Sequence, residues 1–136
     1  MTEAPLVRTF EHEVPAVALG ADATTDLIES PYAGTVSAVN FVAVATLTGA
    51  NTNTRALSLI NKGQAGSGTT VVATLQFNSG VNATANVPVT ITLSGTPANL
   101  VVASGNVLAW QSTHIGTGIA DPGGLAHVEI TRSPTA

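Results

Sequence analysis

The segment TVVATLQF, residues 70–77, largely alternates apolar and polar side chains. Its apolar set on one predicted strand face is Val71, Ala73, Leu75 and Phe77. The segment VPVTITLS, residues 87–94, repeats the pattern with the set Val87, Val89, Ile91 and Leu93. A period of two with one polar face is typical of a half-buried strand in an antiparallel sheet. Pro88 cannot donate a backbone hydrogen bond, so it indicates an edge strand or the start of a strand.

The rest of the chain has the same β-branched texture, with clusters of Gly, Asn, Ser and Thr between the strand-like segments. Further strands are predicted at His12–Leu19, Thr35–Thr48, Thr54–Asn61, Leu100–Ala103, Val107–Thr113 and Leu125–Arg132. About eight short strands with turn signals at this spacing favour an all-β fold, an antiparallel, jelly-roll-like β-sandwich. The middle of Thr35–Thr48 is apolar on both faces, so this strand is either covered on both sides or interrupted by a bulge near Asn40.

The predicted domain organisation is an extended N-terminal arm over residues 1–14 and a single β-sandwich domain over residues 15–136. The first thirty residues hold most of the acidic side chains, and no linker or internal repeat divides the remainder. We read residues 22–29 as part of a loop that follows a strand. A chain of 136 residues is long enough to bury a core without metal or disulfide support.

The charge content is low, because charged residues make up 9% of the chain against about 25% in ordinary soluble domains. This composition fits a sandwich coated with Thr and Asn, and equally a protein that covers much of its surface with partners. The net charge is -4 with four cations, so no basic patch exists and nucleic acid is not a predicted partner. The longest apolar run has about five residues, against about 20 for a membrane span, so no membrane partner is predicted.

The densest candidate for chemistry is HIGTGIADPGGLAHVEIT, residues 114–131. His114, Asp121 and His127 are of the right types to bind a metal. Against this, the alternation places His127 on the solvent face of its strand, and glycines with Pro122 suffice to build a turn. We therefore predict a hairpin between Val107–Thr113 and Leu125–Arg132, with no metal and no cofactor.

No catalytic residue is predicted, and we expect a protein that is not an enzyme. The chain lacks a G-x-S-x-G elbow, and its carboxylates do not form an evident pair. The loop KGQAGSGTT, residues 62–70, departs from the phosphate-binding pattern because its lysine precedes the glycines. Trp110 is predicted to anchor the core rather than to form a ligand platform.

The run GNVLAWQST, then HIGTGIADPGG, then LAHVEITR resembles the C-terminal part of small β-rich virion proteins of tailed bacteriophages. These are the head-decoration, or capsid cement, proteins and related minor head proteins. The resemblance covers about the last thirty residues and includes no catalytic motif. It implies a structural protein on the capsid surface, made in the host cytoplasm, that bridges adjacent major capsid subunits as a homotrimer.

The arm is the predicted contact with the capsid or another partner, through Leu6, Val7, Arg8 and Phe10, an apolar group with one cation. The alternative for Phe10 is that it packs on its own subunit. Two other functions are retained: another structural virion component, of tail, collar or fibre, and a carbohydrate-binding β-sandwich module. The scarcity of aromatic residues, 4% of the chain, argues against the second.

Overall fold

The computed structural model describes residues 6–132, which form ten strands and one short 3₁₀ turn at Pro97–Leu100. The strands are β1 (Leu6–Val14), β2 (Ala23–Glu29), β3 (Gly34–Ala43), β4 (Thr54–Gly63), β5 (Thr70–Gln76), β6 (Pro88–Thr90), β7 (Thr92–Leu93), β8 (Val101–Val102), β9 (Val107–Ile115) and β10 (Gly124–Arg132). No helix in this described part is long and apolar enough to cross a membrane.

The strands make two five-stranded antiparallel sheets that pack face to face. Sheet 1 has the order β1-β10-β3-β6, with β8 also paired to β3, and sheet 2 has the order β2-β9-β4-β5-β7. The all-β, antiparallel sandwich predicted from the alternation is thereby confirmed. The structure has ten strands where about eight were predicted, because β2 was predicted to be a loop and the segment at residues 87–94 contains two short strands.

The chain changes sheet at every connection except β4–β5. The predicted hairpin at residues 107–132 is therefore wrong: β9 lies in sheet 2 and β10 in sheet 1. Alternation and turn residues identify two strands and the loop between them, but they do not show whether the strands pair with each other. Residues 64–69, by contrast, do connect a hairpin, since β4 pairs with β5.

The strand at residues 70–77 departs from simple alternation at Val72. Leu59 of β4 pairs with Ala73 and Ile60 pairs with Val71, so Val72 is the extra residue of a β-bulge. As a result both Val72 and Ala73 are buried, while Val71, predicted to share the inner face, is exposed.

The segment at residues 87–94 passes from one sheet to the other. Its first part, β6, pairs with β3 in sheet 1, and its second part, β7, pairs with β5 in sheet 2. Ile91 lies between them, fully buried, and donates its N–H to the Val39 carbonyl at 2.8 Å. Pro88 begins β6 at the edge of sheet 1, as predicted.

The long apolar segment does contain a bulge, three residues before the predicted place. Val36 and Ala38 of β3 pair with consecutive residues of β10, so Ser37 rather than Asn40 is the extra residue. β3 ends at Ala43, and β1 ends at Val14, where Pro15 interrupts the backbone donors. Both strands therefore stop before the predicted ends at residues 48 and 19.

The core lies between the two sheets and centres on an aromatic pair. The rings of Phe41, on β3, and Trp110, on β9, stack with centroids 5.8 Å apart and planes 26° apart. Trp110 is 2% exposed, so the prediction that it anchors the core is confirmed. Because the two rings come from different sheets, their contact fixes how the sheets sit on each other.

We expect Phe41→Ala to lower the free energy of unfolding by about 3–5 kcal/mol, because it leaves a cavity against Trp110. The single tryptophan makes urea unfolding directly measurable by fluorescence, and the folded-state emission should shift as the indole loses its neighbour. Val44→Ala, at a valine that is 63% exposed, is the control and should change stability by under about 0.5 kcal/mol. Equal losses in both variants would contradict the central role of the pair.

Candidate functional site

The segment richest in functional groups forms a crossing loop at one end of the sandwich. Residues 116–123 lead from β9 to β10 and lie beside residues 15–22, which lead from β1 to β2. The two loops are joined by a pair of backbone hydrogen bonds, since the N–H of Val17 and of Asp121 each donate to the other's carbonyl at 2.9 Å. This short bridge brings the two crossings together.

The turn at Pro122–Gly123 has the form expected from the sequence. Gly123 adopts φ +76°, and its N–H donates to the Asp121 carboxylate at 2.8 Å. A Cβ at Gly123 would lie 2.7 Å from the Ala16 nitrogen and 2.8 Å from the Val14 carbonyl. Glycine is thus required for the close approach to the first crossing loop as well as for the turn.

A buried arginine holds both loops. Arg55, near the start of β4, is 0% exposed, and its guanidinium donates to backbone carbonyls on either loop. Nε binds the Ile119 carbonyl, and one terminal nitrogen binds the Ala18 and Ala21 carbonyls at 3.1 Å each. The planar array of guanidinium donors suits this task, because one side chain satisfies several carbonyls that no strand would otherwise pair.

A serine links Arg55 to the one buried carboxylate of the described residues. The other terminal nitrogen of Arg55 donates to Ser112 Oγ at 2.9 Å, and Ser112 Oγ donates to Asp121 at 2.8 Å. Burial lowers the pKa of the Arg55 guanidinium, and the negative charges of Asp121 and Asp22 oppose that shift. The charge of Asp121 thereby offsets part of the cost of burying the Arg55 side chain.

This cluster of Arg55, Ser112 and Asp121 acts as a structural clamp. Every one of its side chains is buried, and the hydrogen bonds of Arg55 go to the protein's own loops, so a ligand would have to displace them. Sequence reasoning counted Arg55 only as a cation. The available signal was its position next to the buried-strand pattern ALSLI, where a charged side chain needs internal partners.

A second acid–base pair lies at the exposed rim of the same end. One carboxylate oxygen of Asp22 accepts the backbone N–H of His114 at 2.8 Å and contacts the His114 ring Nδ1 at 2.6 Å. These two hydrogen bonds lower the pKa of Asp22 below its ordinary value, the backbone bond being the larger cause. Both side chains are partly exposed. Their contact links the residue before β2 to the end of β9.

The three candidate metal ligands are placed apart. His114 pairs with Asp22, Asp121 binds Ser112, and His127 lies on the outer face of sheet 1 with its Nδ1 3.3 Å from Glu11. Within residues 6–132 no three side chains of His, Asp or Glu are grouped so that they could hold a metal ion.

The predicted arm forms a strand over its described part. Residues 6–14 are β1, which pairs with β10 in unbroken register from Leu6 opposite Arg132 to Val14 opposite Gly124. Residues 1–5 lie outside the described residues, and the proposed division between arm and domain at residue 14 stays a prediction. As β1 is the edge of sheet 1, one side of its backbone has no strand partner among the described residues.

The four predicted contact residues have different surroundings. Leu6 and Val7 are 41% and 52% exposed, and Arg8 is also exposed. Phe10 is half-buried and packs against the hydrophobic core, opposite Val128 of β10. The alternative for Phe10, packing on its own subunit, is therefore what the structure shows, and the exposed group consists of Leu6, Val7 and Arg8.

The outer face of sheet 2 is a broad surface with few charges. Across all five strands runs one row of directly paired polar residues: Thr24, Gln111, Ser58, Thr74 and Thr92. A second row, Thr113, Ala56 and Gln76, lies beside it. These two rows, which we call the neutral face, contain no charged residue. Two residues along β2 from Thr24, in the next row, Asp26 forms an ion pair with Lys62 at 2.9 Å.

The outer face of sheet 1 is different, because Glu11, Glu13 and Glu129 all lie on it with His127.

No protein-family model matches this sequence, and no curated protein matches it. One solved structure that the fold resembles is titled the structure of infectious bursal disease virus, Gx strain. The match has a TM-score of 0.42 and 10% sequence identity, and it covers 96% of this chain and 33% of that chain. The protein thus spans about a third of the length of the chain that it matches.

We predict that Arg55→Met lowers the free energy of unfolding by about 3–5 kcal/mol, since it leaves the loop carbonyls buried without their donor and removes the cation that offsets the buried charge of Asp121. In the variant, amide hydrogen exchange should accelerate relative to the wild type, and this increase should be larger at residues 15–22 and 116–123 than in the central strands. Arg8→Met removes an exposed arginine and serves as the control. A loss spread evenly over the sandwich would contradict a role specific to the two loops.

The lowered pKa of Asp22 predicts a pH-dependent contribution to stability. The ionised carboxylate stabilises the fold above its ordinary pKa of about 3.9, and this contribution is lost as the pH falls through the lower folded-state value. Asp22→Asn should therefore be less stable than the wild type at pH 7, and urea midpoints should converge near pH 2. Glu29→Gln, which also removes one exposed acid, is the control. A difference that persists unchanged to pH 2 would contradict the assignment.

Proposed function

We propose that this protein is a structural, non-enzymatic virion component that binds the outside of a bacteriophage capsid and stabilises it by bridging adjacent major capsid subunits. The C-terminal resemblance to head-decoration proteins supplies the starting point. The single structural observation that carries the proposal is the neutral face of sheet 2, a surface five strands wide in which every residue is uncharged.

The neutral face suits contact with a protein surface because charged groups are depleted from the centres of interfaces, where their desolvation is costly. The hydroxyl and amide groups of Thr24, Gln111, Thr74 and Thr92 can donate and accept hydrogen bonds with a partner's backbone. Ser58 and Thr74 already bond each other at 2.8 Å across the strands, which holds their side chains in place. A rigid sheet presents such groups with little loss of entropy on binding.

The start of β1 is the second proposed contact, made with a neighbouring virion subunit through Leu6, Val7 and Arg8. Phe10 contributes by holding β1 against the core. Contacts on two different sides of one sandwich allow each copy to bridge two neighbours, and a homotrimer, as the resemblance implies, would multiply weak contacts through avidity.

The buried position of Trp110 bears on the carbohydrate-binding alternative. A tryptophan that is 2% exposed and stacked on Phe41 cannot present its ring to a sugar. That alternative therefore loses its one tryptophan platform, and we do not propose it.

The test of the proposed function is the number of copies bound to purified shells that lack this protein. Thr74→Glu places a charge within the neutral face, and we expect it to weaken binding at least about tenfold, equivalent to about 1.4 kcal/mol. Thr35→Glu makes the same change at an exposed threonine on β3 of sheet 1 and should bind as the wild type does. Wild-type protein that does not bind shells would refute the function.

Equal binding by the Thr74→Glu and Thr35→Glu variants would refute the role of the neutral face.

Deletion of the arm is not a useful substitute for these variants. Because β1 pairs with β10 over nine residues and Val14 is buried, removing residues 2–14 would uncover the edge of β10 and part of the core.

A further inference from the structure

We propose that the two ends of β1 are complementary, so that Leu6, Val7 and Arg8 of one copy bind an apolar cleft beside Glu13 of a second copy. This inference rests on the proposed function only in treating β1 as a contact segment, and it names the partner at that contact as the same chain. The interface is head-to-tail, using different residues on each copy.

The first half of the contact is the start of β1. Leu6 and Val7 project from opposite faces of the strand, and both are about half exposed. Arg8 follows directly and is exposed, with no hydrogen bond or ion pair in the structure of the described residues. Two neighbouring aliphatic side chains beside an arginine are suited to an apolar site that has a carboxylate at its margin.

The second half is an open cleft of about 270 Å³ at the other end of β1. It lies where β1, β10 and the end of β3 meet, and its lining includes Val42, Val44, Leu125 and Gly124. Val42, Leu125 and Glu13 are direct cross-strand neighbours on the outer face of sheet 1. Val44 is 63% exposed, so the cleft has an apolar wall that water covers in the single chain.

The charges of the two halves are opposite. Glu13 is the one charged residue among those that line the cleft, and it is exposed at the rim. Arg8 is the one arginine in β1, which has no lysine. Leu6 and Arg8 lie on the same face of β1, so binding of Leu6 in the cleft would bring Arg8 to the same rim, where a guanidinium and a carboxylate can form a two-point hydrogen bond.

One chain cannot make this contact with itself. Arg8 and Glu13 are five residues apart on a straight strand, which separates their Cα atoms by about 17 Å. A contact between unlike patches repeats from copy to copy, and it closes into a ring when the rotation between copies allows. Such a ring would present several neutral faces to a shell at once.

The test is the mass of the free full-length protein in solution, measured by light scattering without any shell. The wild type should form a multimer of defined size at micromolar concentration. Arg8→Glu and Glu13→Arg should each give the monomer mass, because each places like charges at the rim. The double variant Arg8→Glu/Glu13→Arg exchanges the two charges and should restore the wild-type mass.

Glu29→Arg, the same charge change at an exposed acid on sheet 2, is the matched control and should keep the multimer. Urea unfolding of each single variant checks that the monomer is folded. A wild type that is monomeric at all concentrations would overturn this proposal, as would single variants that stay multimeric or a double variant that stays monomeric. In any of these cases wild-type binding to shells would still test the proposed function separately.

Discussion

The buried guanidinium of Arg55 secures the end of the sandwich at which the chain crosses between its sheets. A fold whose connections nearly all cross leaves loop carbonyls at its ends that no neighbouring strand can pair. Arg55 satisfies three of them, on two loops, and reaches Asp121 through Ser112. With those loops held, β1 and β2 enter opposite sheets at fixed positions.

The crossing topology also determines which surfaces remain for contact. The edge strands β6, β7 and β8 are two or three residues long, and the seven-residue edge β2 is interrupted by a bulge at Leu27, whereas β1 is a nine-residue edge in continuous register with β10. Short edges are poor templates for pairing with another chain, and a long regular edge is a good one. The long edge carries exposed aliphatic side chains at its start and an apolar cleft at its end, while the neutral face lies on the other sheet.

The distribution of charge separates the two outer faces. Glu11, Glu13 and Glu129 lie on the outer face of sheet 1, whereas the neutral face of sheet 2 has hydroxyl, amide and methyl groups. The charged residues of sheet 2, among them Asp26, Lys62 and Glu29, lie outside the neutral face. An uncharged area of this kind is suited to desolvation at an interface.

The sequence by itself determined the fold class, most strand positions and the burial of Trp110, because alternation and turn residues report local burial. It also indicated the turn at Pro122–Gly123, whose left-handed glycine follows from local backbone sterics. The bulge in β3 was one of two explanations for its apolar middle, and it lies at Ser37 and not at Asn40. Val72 shows the same limit, since its bulge depends on the partner strand β4.

Only the tertiary structure decided which strands pair, and so it separated β9 from β10 and turned a predicted hairpin into a crossing loop. It also revealed β2, whose polar residues resemble a loop, and the burial of Arg55. The physical reason is common to all three. Strand pairing, edge position and the satisfaction of a buried charge depend on groups distant in sequence, whereas a periodic pattern reports only the two faces of its own strand.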